Sequence, residues 1–229
     1  MHADDDAHFL DQLAPHLQVA GNAKPRRTHI FARDAYGHYV EPSWCSARLL
    51  AVESFGAPRA LICDPSCGWG RILRAAKAAG YGVIGSDVVD RRRDPQAFTD
   101  FPFTICDFLI DTPVRAPWAI VCNPPFDYVR EFCERALDIA TYKVAMLMPL
   151  RRLPAAHWLQ RLPLESVYLL TPRPSMPPAS YLAAGEKPGN GTQDFCWLIF
   201  NKRAAVGLEP RMRWLHRDGA PAHRNGGAS

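Results

Sequence analysis

Short apolar runs alternate with stretches of helical period along the middle of the chain. Residues 60–63 form an apolar run ending at Asp64, and residues 81–86 a second ending at Asp87. Residues 103–106 form a third ending at Asp107, and residues 118–122 a fourth followed by Asn123. Residues 144–150 are continuously apolar, as in a strand buried on both faces. Residues 167–170 and 195–200 read as two further strands. Helical period fills the gaps. Residues 71–79 are Ala-rich and stop at Gly80, a natural C-cap. Residues 128–140 place Val129, Phe132, Ala136, Leu137 and Ala140 on one face, and residues 157–162 read as a short helix. Strand alternating with helix predicts an α/β fold, a mainly parallel seven-stranded sheet with helices on both faces. Ligands of such sheets bind beyond the carboxyl ends of the strands. Asp64, Asp87, Asp107 and Asn123 stand at four successive strand ends, which predicts one site.

Two of these strand ends carry a motif. Asp64-Pro65-Ser66-Cys67-Gly68-Trp69-Gly70 turns the chain from the first strand into the first helix. Gly68 and Gly70 let backbone approach a ligand where a Cβ would collide. The spacing does not match the dinucleotide fingerprint G-x-G-x-x-G. Asp87, at the end of the next strand, can accept both hydroxyls of a ribose. Asp64 would repel a pyrophosphate but welcome an α-ammonium, so the charges favour S-adenosylmethionine over NAD. Asn123-Pro124-Pro125-Phe126 is the sharper signal. The prolines fix φ and remove two backbone donors, which leaves carbonyls free to accept. The Asn123 amide oxygen and the Pro124 carbonyl can grip one planar amino group through its two hydrogens. Phe126 offers a face on which a base can stack, worth about 1–3 kcal/mol.

These motifs make the sequence resemble the class I, S-adenosylmethionine-dependent amino-methyltransferases, in particular the N6-adenine DNA methyltransferases, and the Arg173-Pro174-Ser175 segment, the Gly-rich gap after it and Asp194 before an aromatic strand resemble the small, phage-associated, solitary ones. The loop from Asp64 to Gly70 matches that family's D-P-x-C-G-x-G cofactor loop, so the resemblance implies cofactor contacts from Asp64, Pro65, Cys67, Gly68 and Gly70. Asp87 falls where the family places its ribose-binding acid, and Asp107 where an acid meets the cofactor's adenine. Asn123-Pro124-Pro125-Phe126 matches the catalytic [DNS]-P-P-[YFW] motif. This implies catalytic roles for Asn123, Pro124, Pro125 and Phe126, with Asn123 also at the cofactor and Phe126 also on the substrate. Residues 39–44 followed by Leu49-Leu50 resemble the element over the cofactor's methionine end. The family often has Thr-Pro where this chain has Glu41-Pro42, so Tyr39 and Pro42 are the residues carried over. The resemblance covers residues 36–150 and implies methyl transfer to an exocyclic amino nitrogen, adenine N6 in DNA first. Guanine N2 in RNA and glutamine N5 in a protein present the same planar amino group and remain alternatives. A non-catalytic cofactor-binding regulator and a NAD-dependent enzyme are rivals of another class.

Composition adjusts this picture in a few places. The 229 residues suit one generous domain, expected over residues 29–203 with substrate loops around 172–193. Residues 1–28 read as a flexible polar arm, and 204–229 as a C-terminal extension with a frayed end. Hydrophobic residues at 48% and charged residues at 22% exclude wholesale disorder. No apolar run approaches membrane-spanning length, and the acidic first residues lack a secretory core. Seven cysteines, several inside apolar runs, fit reduced thiols in a cytoplasm. A net charge of +4 permits a nucleic-acid partner without requiring one. No Cys/His pair has zinc-ligand spacing, so no metal is expected.

The 21 prolines are about twice the usual share. Four of them lie between Pro172 and Pro178, beside Arg173. Arg173 reads equally as a phosphate or guanine contact and as a surface ion-pair residue. Residues 181–192, with three glycines, read as a lid or a plain hairpin. Arg91-Arg92-Arg93 reads as a solvated charge run, and Trp197 and Trp214 as packing aromatics.

Overall fold

One sheet holds eight strands among the residues that the computed structural model describes, 38–111, 116–207 and 209–219. The expected polar arm lies outside them. The strands are β1 (Leu61–Asp64), β2 (Gly82–Asp87), β3 (Phe103–Ile105), β4 (Ala119–Cys122), β5 (Lys143–Pro149), β6 (Leu164–Thr171), β7 (Phe195–Asn201) and β8 (Arg211–His216). Their spatial order is β3-β2-β1-β4-β5-β7-β6-β8. β7 runs antiparallel to both β5 and β6, and the remaining pairs are parallel.

The helices are α1 (Ser43–Val52), α2 (Arg71–Ala78), α3 (Val129–Ile139) and the short α4 (Ala179–Ala183). α2 turns Ile72, Leu73 and Ala76 inward and leaves Arg74 and Lys77 outside. α3 buries Val129, Phe132, Cys133, Ala136 and Leu137 at helical spacing. All seven residues of β5 are buried, because apolar layers cover both of its faces. Ala145 and Leu147 join the layer under α1 and α2, while Val144, Met146 and Met148 join the layer under α3. Trp197 is fully buried as expected, and its indole N–H donates to the Cys45 carbonyl at 3.2 Å.

The strand count corrects the expected seven. The eighth strand, β8, comes from the stretch read as a C-terminal extension. It pairs in parallel with β6, from Ser166↔Arg211 to Thr171↔His216. Its sequence, Arg-Met-Arg-Trp-Leu-His, hides it, because an outer strand can carry arginines on exposed positions. Leu215 alone of its six residues is buried. Trp214 is 62% exposed, contrary to the packing role expected of it.

β1 and β4 are neighbours, and the chain leaves them in opposite directions, toward β2 and β3 on one side and β5 on the other. That reversal opens a crevice at the carboxyl ends of the two central strands. At the other end of the sheet, buried Lys143 sits between Glu53 and Glu165, and the Tyr168 hydroxyl donates to Glu53 at 2.8 Å. A lysine this deep needs such partners to stay charged.

Candidate functional site

A cleft of about 1470 Å³ lies over the carboxyl ends of β1, β2 and β4. Tyr39, Asp64, Pro65, Cys67, Gly68, Asp87, Asp107, Asn123, Pro125 and Phe126 all line it. The fold thus brings together most of the residues singled out from the sequence. Pro42, Gly70, Pro124 and Arg173 do not line the cleft. Pro42 stands at the start of α1, where its carbonyl accepts the Cys45 N–H. Pro124 is buried beneath the turn. Arg173 forms an exposed ion pair with Asp194 at 2.7 Å, the surface role among its two readings.

The glycine loop is held by steric and polar constraints together. Gly68 has φ +50°, and a Cβ there would lie 2.4 Å from His38 Nε2. Gly70 caps α2 with φ +71°, and a Cβ there would lie 2.8 Å from the Phe98 carbonyl oxygen. The left-handed backbone favours glycine at both positions, and at Gly70 the Phe98 backbone also excludes a Cβ, whereas at Gly68 the His38 ring would have to shift. Asp87 clamps the loop from β2. One carboxylate oxygen accepts the Gly68 N–H at 2.9 Å, and the other accepts the Val89 N–H at 3.1 Å. Arg91 donates to that second oxygen at 2.6 Å. Its side chain is only 14% exposed, so the solvated-run reading of Arg91 is corrected. Asp87 is 6% exposed, and a carboxylate that deep needs a cation or strong donors.

Asp64, at the end of β1, is 1% exposed. Its carboxylate accepts the Ser66 N–H at 3.2 Å. Burial, and then buried Glu41 nearby, push its carboxyl well above the usual range. Burial likewise raises Glu41, partly offset by its own backbone N–H, Asn123 and the Arg71 guanidinium. Among the described residues neither acid forms an ion pair. Two buried carboxyls without a matched cation form a pocket that favours a positively charged ligand group. Burial also keeps the Cys67 thiol protonated on the cleft wall. Asp107 lines the far side, where it accepts the Leu109 N–H at 3.0 Å.

Asn123 joins the loop to the turn after β4. Its backbone carbonyl accepts the Ser66 hydroxyl at 3.2 Å. Its side-chain Nδ2 donates to the Tyr39 carbonyl at 3.0 Å and to Glu41 Oε2 at 2.9 Å. Both partners are acceptors, so the nitrogen must face them and the oxygen must face away. That oxygen, Oδ1, is sealed from solvent and has no donor among the described residues. A buried acceptor without a donor costs about 1–3 kcal/mol and is the atom that an incoming N–H would satisfy. A donor reaches it only when a neighbouring group moves. Phe126 packs parallel to the Tyr39 ring at 6.1 Å, tilted 13°, and against Phe195 at 5.6 Å. Glu41, Ser66, Arg91 and Phe195 are site residues that sequence reasoning passed over.

The rim is a clasp between distant segments. Tyr39 and Pro178 form an antiparallel bridge. The Val40 N–H donates to the Pro177 carbonyl at 2.9 Å, and the Ala179 N–H to the His38 carbonyl at 3.0 Å. Ser175, Met176, Asn190, Thr192 and Gln193 continue the wall, with Arg151 and Arg152 beside it. Of the stretch read as a lid or hairpin, the start belongs to α4. Among the described residues no group of three His, Cys, Asp or Glu side chains could hold a metal. No described helix is long and apolar enough to cross a membrane.

No family model matches the sequence, and no curated protein does. Solved structures do. A candidate RNA methyltransferase from Pyrococcus horikoshii superposes with a TM-score of 0.57 at 17% identity, over 77% of this chain and 94% of that one. A 23S rRNA methyltransferase gives 0.50 at 15% identity, over 79% and 72%. The methyltransferase subunit of a type I restriction-modification system from Streptococcus thermophilus gives 0.50 at 11% identity, over 76% and 47%. The fold is therefore that of the Rossmann-like class I methyltransferases.

Proposed function

We propose that this chain transfers a methyl group from S-adenosylmethionine to an exocyclic amino nitrogen, N6 of adenine in DNA. The observation that carries the reading is the Asn123 amide, oriented by two acceptors so that Oδ1 is left as an unsatisfied acceptor at a strand end. The residues present fit the cofactor. Asp87 offers a carboxylate to a ribose, and Asp64 with Glu41 an anionic pocket to an α-ammonium. Gly68 brings bare backbone to the cleft wall beside Asp87. Bound there, S-adenosylmethionine supplies a methyl group on an electron-poor sulfonium. Asn123 Oδ1 accepts one hydrogen of the target amino group; a grip on the second hydrogen by the Pro124 carbonyl requires the turn to shift, because Pro124 is buried and does not line the cleft. This pull localises the nitrogen lone pair for in-line attack on the methyl carbon; the C–S bond would break with its electron pair left on sulfur, and the methylated nitrogen would release one proton to solvent. Phe126 and Phe195 give the target ring an aromatic surface. A base within a duplex has to leave the stack to reach this turn.

The deciding experiment incubates the full-length protein with labelled S-adenosylmethionine and separate pools of DNA, RNA and protein, followed by nucleoside and amino-acid analysis. N6-methyladenine in DNA is expected. Label confined to RNA guanine or to protein glutamine would replace the substrate assignment, and no transfer to any pool would remove the activity.

The charge of Asp64 makes a separate prediction. A carboxyl whose native pKa is raised contributes stability that is full below its unfolded pKa and is lost as pH rises through its native pKa. Above its unfolded pKa the ligand-free fold is therefore less stable than in acid, because burial makes the ionised Asp64 carboxyl costly. Asp64→Asn keeps an acceptor for the Ser66 N–H and removes that cost. Its ligand-free melting temperature should rise at pH 7 and 8, by about 2–4 °C per kcal/mol relieved. Its cofactor affinity should fall about 10–100-fold, the worth of a charged hydrogen bond. Differential scanning calorimetry and titration calorimetry read the two effects. A variant that melts lower, or binds as tightly, contradicts the assigned role.

A further inference from the structure

We propose that Glu41 is the positioning residue that decides which way the Asn123 amide faces. The proposal rests on the amino-methyltransferase reading of Asn123 above. An asparagine side chain presents a carbonyl on one side and an NH2 of nearly the same shape on the other. An amino-nitrogen substrate can be gripped only by the carbonyl. A flipped amide would set donor against donor. What lies behind the amide therefore selects whether the site works.

Behind it lie the Glu41 carboxylate at 2.9 Å and the Tyr39 carbonyl at 3.0 Å. The Tyr39 carbonyl can only accept, and so can the Glu41 carboxylate when ionised, so the NH2 side is the one that satisfies both. Glu41 is 6% exposed and forms no ion pair among the described residues. Its own backbone is fixed, because Arg71 donates to the Glu41 carbonyl at 3.1 Å. The neighbouring Val40 N–H is tied to Pro177. The charged or titratable groups around the carboxyl are Asp64 from β1, Arg71 from α2 and Cys45 from α1. A buried acid without a salt-bridge partner among the described residues, whose side chain bonds the amide at the end of β4, is accounted for by the aim of that amide.

The test uses four variants of the full chain, assayed at saturating S-adenosylmethionine on the substrate pool that the wild type labels. Glu41→Ala should lower kcat about 10²-fold, the effect of a misplaced reacting contact. Glu41→Gln can turn its amide oxygen toward Asn123 and should keep kcat within about tenfold. Asn123→Asp sets two carboxylates against each other and should lose activity through like-charge repulsion. Adding Glu41→Gln to Asn123→Asp should restore it at least tenfold, because the glutamine now donates to the aspartate. A purely structural Glu41 gives additive losses in that double variant. Unchanged kcat in Glu41→Ala overturns the proposal alone, and so does a double variant no better than Asn123→Asp. The double variant decides the matter even where Glu41→Ala fails to fold. Absence of transfer by the wild type overturns the amino-methyltransferase reading, and the proposal with it.

Discussion

Asn123→Ala should lower methyl transfer about 10²–10³-fold or more, the range found when an oriented polar group at a reacting centre is deleted. Cofactor affinity should stay near the wild-type value. The two effects separate because Asn123 acts through different atoms. Its backbone carbonyl, held by Ser66, keeps the turn attached to the glycine loop and survives in alanine. Pro124 and Pro125 still fix the chain direction, and α3 still begins at Val129. Only the side chain is lost, and with it Oδ1. The side chain's other end leaves Glu41 Oε2 without its donor, which should cost about 1–3 kcal/mol of stability. Single-turnover transfer and titration calorimetry on the same preparation measure both quantities. Retained transfer would show that the reacting nitrogen is held elsewhere.

The second large effect is at Asp87. Asp87→Ala should weaken S-adenosylmethionine binding about 10–100-fold through loss of charged hydrogen bonds. Three donors converge on this carboxylate: the Gly68 N–H, the Val89 N–H and Arg91. Its removal frees the glycine loop and leaves Arg91 as an unpaired cation where a cationic cofactor must bind. Arg91→Ala is the matching control. It leaves Asp87 with both amides, so it should not reproduce the loss. Equal losses in the two variants would mean that the ion pair, and not a contact between Asp87 and the ribose, supports binding.

Much of this site could be read from the residues, because its chemistry sits at strand ends. Apolar runs stopping at Asp64, Asp87 and Asn123 place the three at the ends of strands of one sheet. What the sequence concealed follows from local physics. Glu41 was passed over because a departure from Thr-Pro gave no reason to expect a contact. Its role depends on Asn123, far along the chain. Arg91 was hidden in a run of three arginines whose members behave differently. Arg91 turns in to Asp87, while Arg92 pairs with Asp90 and lies over the Phe103 ring at 4.3 Å. β8 was hidden because alternating arginines look like solvated chain unless a neighbouring strand is known to lie beside them. Arg173 stayed open between two readings, since only folding brings Asp194 within reach.

The clasp at the rim carries a consequence for how the protein fails. Val40 bonds to Pro177 and Ala179 to His38, so the segment that orients Asn123 is fastened by residues from the far end of the chain. Those residues are delivered by β6, whereas the sheet beneath them is secured by its own ladders. A local opening near Pro177 would release Tyr39 and Glu41 while leaving the core intact, since stability differs from region to region of a fold. Such a molecule would keep its far-ultraviolet spectrum and its melting transition and still be inert. Inactivation by mild denaturant should accordingly precede global unfolding.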